Sequence, residues 1–451
     1  MVNSIFGKNY WYVFKIFDIS LKLNGFPLEK AKAQLKEILA VPDRNFEDFT
    51  DKKKKAIAEF HLKNNPFYAT LVGSNNFSDW NSLPVIKKSD YQRPLSERLS
   101  SGFTEKTVYI NKTSGSSGDP VVFAKDKLYH ALIWSNIIRR FGWYGVDFNH
   151  SWQGRFYGMP VDFINNLKLR FKDYLSKRYR FSIFDLSDRG LEKVVAKFAS
   201  KRFDYINGYT SCVVLLAKYL QKNGLILKNI CPTLKVCIVT SEMLFDDDKI
   251  LIETYLGVPV VNEYGASELD VIAFQNPDDE WVVNAETLFV EILDENNNPL
   301  PNGREGKIVV TCLYNYAHPF IRYEVGDYGI LDEKSTPKKP ILKKLIGRTN
   351  DFAILPSGKK PAGMTFYSIT KKLFNDDGNV KEFTIKQTKT DTFEIDYASE
   401  RPLTESEIRT IENVFSDYLE PGLNYHFHRK DFLQRNAAGK LKQFTSLLKQ
   451  S

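Results

Sequence analysis

The chain has 451 residues, enough for two or three domains built around a large core. Apolar residues make up 43% of it and charged residues 26%, which indicates a globular protein and excludes an intrinsically disordered one. The net charge of +8 is concentrated in residues 165–202, where eleven Lys and Arg residues stand against four Asp and Glu residues. That basic stretch is either a solvated helix face or a surface for a phosphorylated partner or an anionic membrane. No nucleic-acid motif accompanies it, so no nucleic-acid partner is expected.

The sequence predicts a cytoplasmic protein and leaves peripheral contact with a membrane open. Lys15 and Asp18 interrupt the apolar residues near the N-terminus, so a signal peptide is not expected. No apolar run reaches the length of about 18 residues that a transmembrane helix needs. Four cysteines lie in apolar surroundings without a Cys-x-x-Cys pair: Cys212, Cys231, Cys237 and Cys312. This pattern favours buried thiols in a reducing compartment over a zinc or redox site.

In chain order, the first predicted elements are amphipathic helices at residues 27–40 and 52–64. Two short extended patterns follow at 107–110 and 121–123. The loop between them is rich in glycine and hydroxyl residues: Thr113, Ser114, Gly115, Ser116, Ser117 and Gly118. Glycines with positive φ can point successive N–H groups into one concavity that suits a phosphate, although such a loop can also be a simple hairpin turn. It is not the common phosphate loop of nucleotide-binding proteins, because Asp119 stands where that motif needs Lys.

Between residues 128 and 262, helix patterns alternate with strand patterns. Helices are predicted at 128–141, 212–221 and 246–256, and strands at 204–208, 234–240 and 258–262. This alternation predicts an α/β fold with parallel strands. After Glu268, short strands at 281–283, 288–293, 307–313 and 330–331 predict a β-rich subdomain. From about residue 351 the pattern becomes α+β, with strands at 381–386 and 392–397 and a helix at 404–418, so a domain boundary is expected near 347–351.

Five short motifs occur in a fixed order along the chain. They are residues 113–120 (TSGSSGDP), 262–268 (NEYGASE), 321–327 (IRYEVGD), 347–351 (GRTND) and 438–442 (AGKLK). Together they resemble the adenylate-forming superfamily of acyl-CoA synthetases and their relatives, over roughly residues 67–442. Residues 306–311 and 318–327, with the Pro that ends the first motif, are similar to the phenylacetate–CoA ligase branch and to CapK-type proteins of capsular polysaccharide biosynthesis.

The resemblance implies a fold and a domain organisation. A large multi-layer α/β domain with a β-rich subdomain is expected over residues 1–346, where it would bind ATP and the acyl substrate. A small mobile α+β lid domain is expected over residues 351–451, with a hinge near 347–351. The superfamily hinge usually has Asp or Lys at the position of Asn350, so the pivot residue, here Asn350 or Asp351, stays open.

The resemblance also implies ATP and Mg²⁺ as cofactors and gives roles to residues. The loop of residues 113–118 is expected to hold the β- and γ-phosphates, and Glu268 to bind Mg²⁺ unless it caps a helix. Asp327 is expected at the ribose hydroxyls unless it serves an Asx turn, and Arg348 at ribose or phosphate unless it forms a surface salt bridge. Five residues are expected around the adenine: Ser241, Glu242, Met243, Glu263 and Tyr264.

Lys440 is expected to be catalytic together with Glu268. A long cation on a mobile domain can reach the α-phosphate of ATP when that domain closes. The alternatives are that Lys442 serves this role or that Lys440 is a solvated lysine near the C-terminus.

The expected reaction is ATP-dependent activation of a small carboxylic acid as an acyl-adenylate, followed by transfer to an amine or hydroxyl. The CapK-type likeness implies a role in surface polysaccharide modification, with a sugar or amino acid as one substrate. The polar segment at 357–363 departs from the apolar pattern of CoA-using members, so CoA as the acceptor stays uncertain. The alternatives are an aryl- or acyl-CoA ligase, a non-catalytic nucleotide-binding scaffold and a protein that interacts through its basic stretch.

Overall fold

The computed structural model describes residues 16–73, 79–113, 120–157, 173–174, 176–183, 185–348, 352–359, 361, 379–435 and 440–448. Within these ranges no helix is both long and apolar enough to cross a bilayer. The phosphate-loop residues from Ser114 to Gly118, part of the basic stretch, and the pivot positions Asn350 and Asp351 lie outside the described residues.

The N-terminal segment is helical and packs on the largest apolar core. Its helices are Ile16–Leu23, Leu28–Ala40, Asp43–Asn64, Pro66–Val72 and Leu95–Arg98, with 3₁₀ turns at Trp80–Ser82 and Lys88–Tyr91. The helix predicted at 52–64 begins earlier, at Asp43, because Phe46 and Thr50 continue the buried face formed by Ile57 and His61.

A two-stranded hairpin follows, as the sequence predicted. Strands β1 (Tyr109–Lys112) and β2 (Val122–Lys125) pair antiparallel. At the neck of the hairpin the Thr113 N–H donates to the carbonyl oxygen of Val121 at 2.9 Å, and the Thr113 hydroxyl accepts from the Val121 N–H at 3.0 Å. The glycine-rich loop therefore starts from a fixed pair of strands, and the helix Lys127–Gly142 follows it.

Seven of the described strands form a central sheet in the order β4-β3-β5-β6-β7-β8-β9. They are β3 (Gln153–Phe156), β4 (Arg178–Phe181), β5 (Tyr205–Tyr209), β6 (Val236–Thr240), β7 (Val260–Ala266), β8 (Asp270–Gln275) and β9 (Trp281–Val283). The first five in that order are parallel, which confirms the predicted α/β fold. The connecting helices are Asp188–Ser200, Thr210–Lys222, Leu227–Ile230 and Asp246–Leu256.

The strand at 281–283 belongs to this central sheet, so its assignment to a β-rich subdomain is wrong. Strand β7 turns back into β8 with Asp270 at a φ of 59°, and the β7–β8 and β8–β9 pairs are both antiparallel. Strand β8 was missed because its four central residues are all apolar and buried, which gives no alternating pattern in the sequence.

The β-rich subdomain is a separate antiparallel sheet of β10 (Leu288–Leu293), β11 (Glu305–Cys312), β12 (Tyr323–Leu331) and β13 (Leu342–Arg348). The C-terminal part has the predicted α+β character. Its sheet has the order β16-β15-β14-β17, from β14 (Val380–Lys389), β15 (Thr392–Ser399), β16 (Asn424–Lys430) and β17 (Phe444–Ser446). The helix Glu405–Tyr418 starts with a capping box between Thr404 and Glu407.

Different apolar clusters cover the two faces of the central sheet. On one face, Phe156 and Phe181 stack 4.8 Å apart between ring centroids and pack on the helices Asp188–Ser200 and Thr210–Lys222. On the other face, Phe141 of the helix Lys127–Gly142 packs against Ile238 and Phe274. Since side chains alternate along a strand, each strand divides its residues between these two environments.

Candidate active site

Two cavities adjoin at the carboxyl ends of the parallel strands, where open α/β sheets bind ligands. The first has a volume of about 170 Å³, and we call it the interdomain cavity because residues of the α/β part and of the C-terminal α+β part both line it. Its lining residues are Ser241, Glu242, Met243, Asn262, Glu263, Tyr264, Gly265, Trp281, Asp327, Leu345, Gly347 and residues 440–444. The sheet cavity, of about 350 Å³, lies between the central sheet and the helix Lys127–Gly142. Ser241, Glu263 and Gly265 line both cavities, so the two are adjacent.

The interdomain cavity collects most of the sequence-predicted site. It is lined by Ser241, Glu242, Met243, Glu263, Tyr264, Asp327 and Lys440, which come from separate stretches of the sequence. The backbone of Arg348 lies opposite Asp327 in the β12–β13 register. Four motifs thus each contribute a residue that was predicted to contact the nucleotide, and these residues lie around the same cavity.

Tyr264 and Asp327 form a buried pair in the wall of the interdomain cavity. The Tyr264 hydroxyl donates to Asp327 Oδ2 at 2.7 Å, and the exposed fractions of the two residues are 7% and 8%. The Tyr264 ring also meets the ring of Trp281 edge-on, with centroids 6.0 Å apart. This bond orients the Asp327 carboxylate, and Tyr264 thus has a second role besides presenting a ring to the cavity.

The backbone around the shared border is shaped for close approach. Ser241, directly after β6, has a φ of 70°, a left-handed conformation that non-glycine residues adopt at a cost and mostly at functional sites. At Gly265 any side chain would collide with the carbonyl oxygen of Asp270. This contact explains why the motif at 262–268 needs glycine at that position.

Lys440 lines the interdomain cavity, and the residue after it is hydrogen-bonded to the α/β part of the chain. Its ammonium lies 5.7 Å from the centroid of the Tyr209 ring. The next residue, Leu441, donates its N–H to Glu242 Oε1 at 3.0 Å, and the Ser211 N–H donates to Glu242 Oε2 at 2.8 Å. One carboxylate thus joins the chain next to Lys440 to the start of the helix Thr210–Lys222.

Arg435 adds a second connection at the same place. It donates to the Ser211 hydroxyl at 2.7 Å and to Glu382 Oε1 at 2.5 Å, and its side chain is 7% exposed. We call Ser211, Glu242, Glu382, Arg435 and Leu441 the interdomain latch. No local pattern in the sequence identifies Ser211, Glu382 or Arg435, because their partners lie far away along the chain.

Glu268 lies in the turn between β7 and β8 and not at a helix, so the helix-capping alternative is wrong. It is 7% exposed, and the Tyr323 hydroxyl donates to its Oε1 at 2.9 Å. It lines neither cavity. In the described part of the chain no group of three or more His, Cys, Asp or Glu residues could hold a metal ion by itself. A single carboxylate still fits Mg²⁺, because this ion commonly takes one or two protein carboxylates together with substrate phosphates.

The sheet cavity has one polar and one apolar wall. Gln153, Arg155, Arg178 and Asn207 line the polar wall, and aromatic and aliphatic residues of the helix Lys127–Gly142 line the other. The Tyr157 hydroxyl and Gln153 Nε2 both donate to Asn207 Oδ1, at 3.0 and 3.3 Å. Removal from solvent raises the pKa of Glu263, at the border, to about 7, although a hydrogen bond from Thr240 and the charge of Arg155 oppose this shift.

We compared the sequence and the fold with those of known proteins. No family model matches the chain. Protein CapK of Staphylococcus aureus is 24% identical over 376 residues, which cover 76% of this chain and 78% of CapK. The phenylacetate–coenzyme A ligase of Aromatoleum evansii is 24% identical over 288 residues, covering 62% of this chain and 63% of that enzyme. The solved structure of 2-hydroxyisobutyryl-CoA ligase in the postadenylation state, in complex with R3-HIB-AMP, superimposes with a TM-score of 0.69 at 16% identity, covering 89% of this chain and 90% of that one.

These similarities confirm the resemblance that the motifs indicated. The described residues have the architecture of that ligase, and the sequence relatives belong to the branch that the motifs suggested. The chain therefore has the fold of the adenylate-forming ligases and is related in sequence to their CapK and phenylacetate–coenzyme A ligase branch.

Proposed function

We propose that the chain is an ATP-dependent ligase that activates a carboxylic acid as an acyl-adenylate. A carboxylate oxygen of the acid attacks the α-phosphorus of ATP, the bond from that phosphorus to the bridging oxygen breaks, and pyrophosphate leaves. In the second step a nucleophile attacks the acyl carbon, AMP leaves, and the nucleophile loses its proton. The observation that carries this proposal is the convergence of Glu263, Tyr264, Asp327 and Lys440 in one cavity that opens to a second one.

The nucleotide occupies the interdomain cavity in this proposal. Tyr264 and Trp281 offer aromatic surface to the base, and Asp327, oriented by the Tyr264 hydroxyl, accepts from the ribose hydroxyls. Ser241, Glu242, Met243 and Glu263 complete the adenine surroundings, and Arg348 serves ribose or phosphate. Glu242 contributes there through its backbone, because both of its carboxylate oxygens accept backbone N–H groups of Leu441 and Ser211. The loop from Thr113 to Gly118 holds the β- and γ-phosphates.

Lys440 and Glu268 are the catalytic residues in this proposal. Two anions must approach each other in the first step, so a cation at the α-phosphate lowers the barrier by offsetting their repulsion. Lys440 supplies that cation from the C-terminal segment. Glu268, held by Tyr323, would bind Mg²⁺, which when bound neutralises phosphate charge.

The domain division expected from the sequence is part of the proposal. The C-terminal part has an apolar cluster of its own, which includes Ile385, Phe393 and Phe415. We therefore propose a large domain at 1–346, a lid at 351–451 and a hinge near 347–351. The cytoplasmic setting is also proposed, and the burial of all four cysteines as free thiols supports a reducing compartment.

For the second step we propose transfer to an amine or hydroxyl in surface polysaccharide modification. The likeness to CapK and the polar segment at 357–363 support this acceptor. Thioester formation with CoA is the second candidate, because the other relatives are phenylacetate–coenzyme A ligases. Product analysis with and without CoA separates the two: stoichiometric acyl-CoA made as fast as the adenylate would overturn the amine or hydroxyl acceptor.

The activation step is tested by carboxylate-dependent exchange of labelled pyrophosphate into ATP over a panel of acids. We expect exchange that requires both an acid and Mg²⁺ and that does not require an acceptor. Exchange that is independent of every acid, or no exchange at all in a protein that binds ATP, would favour a non-catalytic scaffold.

A further inference from the structure

The polar wall of the sheet cavity follows from the alternation of side chains along the edge strands. In β3, Phe156 packs into the apolar cluster behind the sheet, while Gln153 and Arg155 point to the opposite face and line the cavity. In register with them, Arg178 lies beside Gln153 on β4 and Asn207 lies beside Arg155 on β5. The cavity therefore has two arginines, together with Gln153 and Asn207, on the face of the sheet opposite the apolar cluster.

These two arginines give the wall a positive charge. Among the described residues, neither Arg155 nor Arg178 belongs to an ion pair, whereas Arg180 pairs with Asp173 at 3.0 Å. Asp270, which also lines the cavity, is paired with the buried Lys125. Neither Asp270 nor Glu263, the two described acidic residues that line the cavity, forms an ion pair with Arg155 or Arg178.

Hydrogen-bonding groups in the same wall lack partners within the described part of the chain. Arg155 Nε and Gln153 Oε1 are both buried without a hydrogen-bond partner there. A buried guanidinium is normally paired, and its planar fork matches a carboxylate or a phosphate. The wall is therefore suited to an anionic group of a bound molecule.

The place of the arginines shows which end of a substrate they would meet. The reacting carboxylate must lie at the border with the interdomain cavity, beside Ser241, Glu263 and Gly265. Strand β3 is three strands away from β7, or about 14 Å at the usual strand spacing, and β4 is one strand further. After the length of the Arg155 side chain is subtracted from this distance, the gap between the border and the Arg155 guanidinium fits an acid of roughly four to six carbon atoms.

We propose that the sheet cavity binds a carboxylic acid with a second anionic group, which Arg155 and Arg178 hold at the end away from the nucleotide. This inference rests on the proposed function and adds the substrate class. Trp134, Ile137 and Phe141 contact the hydrocarbon between the two anionic groups. A wholly apolar acid such as phenylacetate fills the same volume but leaves Arg155 Nε and Gln153 Oε1 without hydrogen-bond partners, so it is a poor substrate.

The test compares acids that differ only in the charge of the distal group. Succinate, glutarate and adipate are each paired with their monoamides, and 4-phosphonobutyrate tests a phosphate-type group in place of the second carboxylate. Exchange gives kcat/KM, and calorimetry gives Kd for the same acids. We expect at least one dianionic acid to be preferred over its neutral counterpart by about 10- to 100-fold, the usual effect of a charged hydrogen bond. Arg155→Gln and Arg178→Gln should each reduce the logarithm of this preference, the ratio of kcat/KM for the dianionic acid to that for its neutral counterpart, by at least half.

Arg409→Gln is the matched control, since the Arg409 side chain is 77% exposed on the C-terminal helix, and it should leave the ratio unchanged. Equal or better use of the monoamides or of phenylacetate by the wild-type protein would overturn the inference, as would an unchanged ratio in both arginine variants. An amino acid that outperforms all dianionic acids would also overturn it. If no acid supports exchange, the proposed function fails, and the Kd ratios still decide whether the cavity selects a second anionic group.

Discussion

The interdomain latch predicts that Glu242→Gln slows adenylation without weakening ATP binding. The Glu242 carboxylate accepts the Leu441 N–H on one oxygen and the Ser211 N–H on the other, at 3.0 and 2.8 Å. Glutamine has one acceptor oxygen, so the variant loses one of these bonds and turns an amide NH₂ towards a second N–H donor. Because Leu441 follows Lys440 directly, the loss falls on the arrangement that holds Lys440 in the interdomain cavity.

The size of the effect follows from the kind of bond that is lost. A hydrogen bond to a charged group contributes about 1.5–3 kcal/mol. If the whole loss falls on the closed arrangement of the proposed lid, the equilibrium constant for closure falls by about 10- to 150-fold. We therefore expect the rate of acyl-adenylate formation to fall by up to that factor in single-turnover experiments, while the Kd for ATP stays within about threefold.

Glu253→Gln is the control for this variant. Glu253 Oε1 also accepts a backbone N–H, that of Val260 at 3.1 Å, but both residues lie in the α/β part of the chain. The control should adenylate at the wild-type rate. An equal loss in both variants would contradict this role of Glu242, and so would a higher KM for ATP with unchanged kcat in Glu242→Gln, because the Glu242 side chain would then act through the nucleotide.

Three further predictions concern the proposed catalytic and border residues. Lys440→Ala should slow adenylation by at least about 100-fold with little change in Tm, since a partly exposed lysine contributes little stability; wild-type pyrophosphate exchange would contradict its role. Glu268→Gln should raise the Mg²⁺ concentration needed for half-maximal activity, and a Mg²⁺ titration that matches wild type would show that Glu268 is structural. The pKa of Glu263 is raised from 4.5 to about 7 in the folded chain. Between these two pH values the folded chain keeps the proton on the Glu263 carboxyl group, whereas the unfolded chain has lost it. The contribution of Glu263 to stability therefore falls as pH rises from about 4.5 to about 7. The Tm of Glu263→Gln relative to wild type should therefore increase between about pH 4.5 and pH 8, and a difference that does not change with pH would contradict the raised pKa.

Much of the fold could be predicted because its local signals agree with its tertiary structure. The helix Asp246–Leu256 ends at Gly257, which has the left-handed φ of 70° that a helix end favours. The parallel strands alternate with helices, and each predicted site residue of the interdomain cavity in the large domain follows or lies within a strand. Strand order and the return of the chain through β8 and β9 could not be predicted, since both depend on which buried apolar runs pair with each other.

Residues of the site could be predicted only where a short sequence motif identified them. Tyr264 and Asp327 were identified from two motifs, but the hydrogen bond between them depends on the packing of two different sheets. Arg435 lies 224 positions from its partner Ser211, so no local pattern could connect them. In the sequence Arg155 has no assigned role and Arg178 is one charge of the basic stretch at 165–202, and only the strand register places both on the wall of one cavity.

In the proposed reaction a carboxylate oxygen of the acid attacks the α-phosphorus of ATP. Isotope transfer tests this step with an acid that carries ¹⁸O in its carboxylate, an acceptor and mass spectrometry of the phosphate products. We expect each turnover to leave one ¹⁸O atom in AMP and none in pyrophosphate. The appearance of ADP with ¹⁸O in inorganic phosphate would mean attack at the γ-phosphorus and an acyl phosphate, and it would rule out the acyl-adenylate.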